Sequence, residues 1–180
     1  MEELIISEGG ASNIPPHPAD QFAAKCIDII DYGLVEMTWQ GRTKKKHRGC
    51  LRFFCGEYAE GDDGKEFPLW VDAWFTLTLN EKGSLRPFLE SWRGRPFTAD
   101  ELKQFNLAQL VGADAFIQVV HKPKNGKTYA NIASIMRLPR GTEPVQPPAD
   151  YVRVKDRPKD GESNGSAPSP FDQDDDDLPF

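Results

Sequence analysis

At 180 residues, 38% of them apolar and 28% charged, with net charge −6 and three cysteines, the chain has the size of one domain with polar extensions. It has no uninterrupted apolar run of about 18 residues and no basic-then-apolar leader, which argues against a membrane-spanning or secreted protein. Cys26, Cys50 and Cys55 are an odd number without CxxC pairing, so a soluble cytoplasmic protein with reduced thiols is expected.

Charge divides the chain into three parts. Residues 1–19 carry −3, residues 20–140 carry +3 from 18 Lys and Arg against 15 Asp and Glu, and residues 141–180 carry −6. The overall acidity therefore belongs to the ends, and the body between them is mildly basic. Residues 1–19, with "NIPPHPAD", read as a flexible lead-in, and residues 20–140 as the folded domain. Residues 141–173, dense in Pro, Gly, Ser and charge, read as a disordered linker to an acidic tip at 174–180.

In chain order, "QFAAKCIDIIDYGLVEMTW" predicts a long first strand with a bulge near Tyr32-Gly33. "GRTKKKHR" reads as a basic loop, and "HRGCLRFFCGEY" and "FPLWVDAWFTLTL" as the second and third strands. "SLRPFLESWRG" and "TADELKQFNLAQLVG" carry helical signals, with Ser84 and Thr98 as candidate caps and Gly112 as a stop. "DAFIQVVHKP" and "TYANIASIMRL" are strands joined by an Asn-Gly turn. Three strands, a helical connection and two strands make a mainly β domain. The order suits a five-stranded Greek-key barrel of the OB-fold type, with a helical insertion between strands three and four.

Alternation then separates core from surface. In the third strand Leu69, Val71, Ala73, Phe75, Leu77 and Leu79 form an apolar face, while Trp70, Asp72, Trp74, Thr76 and Thr78 face the other way. Trp70 and Trp74 are a candidate stacking platform for nucleic acid bases, unless the helical connection or a subunit partner covers them. In the second strand Leu51, Phe53 and Cys55 point inward, and Arg48, Arg52, Phe54 and Tyr58 outward. Rings and cations interleaved on one side suit a phosphate chain with stacking bases. Arg42, Lys44, Lys45, Lys46 and Arg48 beside this strand, and Lys122, Lys124, Lys127 and Tyr129 around the last turn, are candidate groove walls. Trp92 reads as helix core, and Arg93 and Arg95 as phosphate contacts or helix-end charges.

The signals of catalysis are weak. His17, His47 and His121 have no second ligand at metal spacing, Cys50 and Cys55 lie on different faces, and there is no phosphate-loop motif. Asp62, Asp63 and Glu66 in "EGDDGKE" read as a solvated turn before a cation site. A non-enzymatic protein without metal or cofactor is expected.

The ending "DDDDLPF" carries the most specific signal. Asp174, Asp175, Asp176 and Asp177, then Leu178, Pro179 and Phe180, present an apolar group at the end of a self-repelling acidic run. This segment resembles the acidic tip of bacterial and bacteriophage single-stranded-DNA-binding proteins, with Leu178 where that family usually has Ile. The resemblance implies a protein that coats single-stranded DNA in replication, recombination or repair within a bacterial or phage-infected cytoplasm. It also implies that residues 174–180 dock on partner enzymes of the polymerase, helicase, exonuclease or recombinase class. The long helical insertion departs from the family's tetramer and leaves homo-oligomerisation open. Two other readings use the same residues: an interaction protein that imitates the tip to recruit or block host repair enzymes, and an RNA-binding OB module.

Overall fold

β-branched and aromatic residues recur through 21–76 and 114–136, and these stretches hold the strands of the sheet. The computed structural model describes residues 14–157. Its strands are β1 (Gln21–Trp39), β2 (Arg42–Glu60), β3 (Glu66–Thr76), β4 (Asp114–Lys124) and β5 (Lys127–Met136). All pairings are antiparallel, in one open sheet of order β3-β2-β1-β4-β5. β1 is central because its first residues, Gln21 to Lys25, pair with β4 and most of its length, from Lys25 on, with β2. The expected bulge is present as a register shift between Asp31 and Gly33, with a second between Cys26 and Asp28.

The stretch expected as a basic loop is instead strand. Residues 42–48 continue β2 and pair with Gly33 to Trp39, so that β1 and β2 extend as a two-stranded arm. Its turn is only Gln40 and Gly41, both left-handed with φ 47° and 74°, the geometry of a two-residue hairpin. A Gln at the first turn position is an unusual choice, which explains why the lysine run masked the hairpin. The Asn125-Gly126 turn between β4 and β5, at φ 51° and 77°, agrees with the sequence expectation.

One face of the sheet holds the main core: Leu51, Phe53, Val71, Ala73, Phe75, Ile117 and Val119. α1 (Leu85–Arg93) closes it with Leu85, Leu89 and Trp92, and the Trp92 indole N–H donates to the Asp114 carbonyl at 2.9 Å. Ser84 makes no side-chain cap bond, because its own backbone is already helical. α2 (Ala99–Lys103) begins with a full capping box between Thr98 and Glu101. The helix expected through 112 stops there: Gln104 is extended, Phe105 packs edge-on against Phe97, and Asn106 caps a separate 3₁₀ turn at Leu107–Leu110. The three cysteines are free and buried. Burial raises the Cys26 and Cys55 thiols to about 12, so these are packing groups and not nucleophiles.

Gly49 is where the sheet has no room for a side chain. A Cβ there would stand 2.7 Å from the Ile30 carbonyl oxygen and 2.8 Å from a Leu77 methyl. Gly49→Ala is expected to cost about 1–3 kcal/mol through overpacking. Denaturant unfolding checks this, and a midpoint unchanged from the natural chain would show that β1 and β2 can part there freely.

Candidate nucleic-acid interface

The face of the sheet away from the core is built by strand alternation, and the register fixes its membership. Across β1, β2 and β3, Asp28 lies beside Arg52 and Asp72, Ile30 beside Cys50 and Trp74, and Phe54 beside Trp70. The bulge places Tyr32 on this face, where its ring stacks on Trp74 at 5.2 Å and 28°. Trp70 and Trp74 are half-buried rather than sealed. Because β2 has no irregularity between Arg42 and Phe54, its even-numbered residues share one side. Arg42, Lys44 and Lys46 therefore project on the same side as the two tryptophans. Exposed Trp39 sits opposite Arg42 at the arm's end.

Several expected surface residues lie elsewhere. Arg48 is 0% exposed and donates to Thr76 Oγ1 at 3.1 Å, and Phe54 is 1% exposed. Both are interior because this face is not bare. Lys45 points to the opposite side of the arm, 3.9 Å from Glu36. Arg52 is on the expected face, but its guanidinium makes a two-bond pair with Asp72, 2.8 Å at both contacts, and lies 5.2 Å from the Trp70 ring centre. Burial works to lower its pKa, and the Asp72 bonds and charge outweigh that and raise it. Arg52 thus holds Trp70 in place. Tyr58 is exposed and packs edge-on against Phe54. Arg93 and Arg95 are ion-paired with Glu101 at 2.8 and 3.4 Å, at the helical insertion.

The edge strands β3 and β5 line a common cleft of about 650 Å³. Trp70, Asp72 and Trp74 form one wall, Lys127, Tyr129 and Asn131 the other, and Ile14 to His17 pass along it. Lys122 pairs with Tyr129 and Lys124 with Lys127, so the expected groove residues of this hairpin share a side. Of residues 14–19, read as part of a flexible lead-in, Ile14 to His17 border the cleft and His17 alone is buried. His17 is buried against Phe22, and its carbonyl accepts from His121 Nε2 at 2.7 Å.

The residues missed by sequence reasoning come from the expected linker. Asp28 is 0% exposed, and each of its carboxylate oxygens accepts two hydrogen bonds. Oδ1 takes the Ile29 N–H at 2.8 Å and Arg153 Nε at 3.1 Å. Oδ2 takes the Tyr151 hydroxyl and the Val154 N–H, both at 2.8 Å. Three of the four donors belong to residues 151–154, so this strap is fastened across the ring face, and Tyr151 meets Trp70 edge-on at 5.4 Å. Bonds to a charged group contribute about 1.5–3 kcal/mol each. The only sequence signal was the short "YVRV".

No protein-family model matches this chain, and no curated protein matches it. Among the described residues there is no group of three or more His, Cys, Asp or Glu that could hold a metal ion, and no helix long and apolar enough to cross a membrane. The acidic tip, Asp174 to Phe180, lies outside the described residues.

Burial raises the Asp28 pKa, but the bonds from Val154, Tyr151 and Arg153 and the Arg153 charge outweigh it, and the net shift is downward from 3.8. A carboxyl lowered by folding stabilises at pH above its unfolded value and loses that contribution as pH falls through the lower folded value. The strap is therefore expected to stay docked near neutrality and to loosen on acidification below about 3.8. Hydrogen exchange at the Val154 amide, corrected for its intrinsic rate, reads this. Asp28→Asn should lose protection already at pH 7, and equal protection in both proteins would remove Asp28 as the anchor.

Proposed function

We propose that this protein is a non-catalytic binder of single-stranded DNA, acting in replication, recombination or repair. The observation that carries this reading is the shared side of Arg42, Lys44, Lys46, Trp70 and Trp74, continued across the cleft by Lys127 and Tyr129. A polynucleotide needs cations for its phosphates and ring faces for its bases, and stacking supplies affinity without sequence preference. The strand order and the approach of β3 to β5 across one cleft support the finer reading of the sheet as a partly open OB-type barrel. The sequence "DDDDLPF" supports recruitment of replication or repair enzymes through residues 174–180: acids steer the encounter and Phe180 anchors it.

The same acidic ending favours a second reading, in which the chain imitates such a tip to occupy host repair enzymes and its body does not bind DNA. Removing residues 174–180 separates the two. Coating predicts that single-strand binding persists or tightens, whereas imitation predicts none in either form.

Titration of tryptophan emission with oligo-dT should show quenching that weakens with salt at about 0.7 in log–log slope per phosphate contact. Lys44→Ala with Lys46→Ala should flatten the slope by about 1.4, two contacts at that value, while Lys45→Ala leaves it unchanged. Equal effects of the three lysines would remove the face assignment, and no quenching at low salt with micromolar protein would remove the function. Trp70→Ala with Trp74→Ala should weaken binding by about 1–3 kcal/mol for each stack lost. Unchanged affinity with an intact fold would take those rings out of the site.

A further inference from the structure

Beside Trp70 the strap and the sheet border a second, open cavity of about 520 Å³. Pro68 and Trp70 form its sheet wall, and Pro148, Tyr151, Val152 and Arg157 its strap wall, with the Asp150 carboxylate at the rim. Arg157 is exposed yet fixed in direction: its Nε donates to the Val152 carbonyl at 3.0 Å, and its guanidinium carbon lies 5.7 Å from the Tyr151 ring centre.

We propose that the strap is part of the DNA site, and that the slot bordered by Trp70 and Tyr151, whose rings touch edge-on, takes one unpaired base against these rings with its flanking phosphate on Arg157. This rests on the single-strand-binding reading above. Three features support it. The slot is mostly apolar and ring-lined, with Arg157 as its one cation and Asp150 as its one acid, a composition that suits a planar base with an anion on the arginine. Trp70 lines both the slot and the cleft, so a strand leaving the cleft passes over Trp70 into the slot. The strap is also tied to the fold rather than laid on it, since lifting it would strip a fully buried carboxylate of three of its four donors. DNA that bound by displacing the strap would break those bonds, and DNA that binds beside it keeps them.

The test uses the full chain and labelled oligo-dT, with each salt slope read against the same chain lacking residues 174–180. Arg157→Ala leaves the Asp28 anchor untouched and should lower the salt slope by about 0.7. Tyr151→Leu should weaken binding by about fivefold or more, the loss of one stack, while Tyr151→Phe, which keeps the ring, retains most of the affinity. Oligonucleotides carrying 5-iodouracil should cross-link to the peptide containing Tyr151. Variants that bind as tightly as the natural chain or tighter, with cross-links confined to residues outside 148–157, would make the strap a cover and overturn the proposal. Absence of any binding by the natural chain would overturn the single-strand reading itself, so the two failures are distinguishable.

Discussion

Asp28 lies in the middle of the central strand, with an alternation that turns its side chain away from the main core. The sheet supplies it one donor, the Ile29 N–H, so a buried carboxylate there must find the rest from outside the sheet or lose its charge. Residues 151–154 supply them, and their docking decides what the rest of that face looks like. It places Tyr151 against Trp70 and sets Arg157 at the surface. An open platform of two tryptophans becomes a face divided into a cleft and a slot, with Trp70 as the partition. Three bonds at about 1.5–3 kcal/mol each weigh against displacing the strap for a base stack of about 1–3 kcal/mol, so the divided face is the one on which the proposed reading rests.

Charge on this face is sorted by depth. The inner pairs, Arg52 with Asp72 and Arg153 with Asp28, satisfy each other and hold the rings in place. The cations with no acid on their own side of the ribbon lie outward: Arg42, Lys44 and Lys46 face Trp39, Met37 and Val35 across the arm. Cations at the periphery and rings at the centre suit a polyanion with apolar bases. Phosphates are drawn in at long range, and stacking acts only at contact.

The sequence was informative where one local signal decides one local structure. The alternation of β3 placed Leu69, Val71, Ala73 and Phe75 in the core, and Asn125-Gly126 set a hairpin. It failed where a signal was overridden or its partner lay far along the chain. Seven residues of "RTKKKHR" look like a solvated loop by composition, yet backbone pairing with 33–39 makes them strand, because an exposed two-stranded ribbon tolerates lysines on either side. Asp28 in "KCIDIID" announces an unusual buried acid, but its donors come more than 120 residues later, in a segment whose Pro and Gly content reads as linker. Arg48 and Phe54 were assigned to the right face, and only the covering of that face was invisible.

The strap also changes how the acidic end relates to the proposed site. The described chain leaves the domain at Arg157, at the mouth of the slot, and residues 158–180 carry seven Asp and Glu against one Lys. On the single-strand-binding reading, acids that follow Arg157 in sequence would compete with phosphate for the same cations, and salt would screen both. The salt dependence expected of the full chain under that reading is therefore the difference between two screened interactions. It should be read against a chain without the acidic run before phosphate contacts are counted from it.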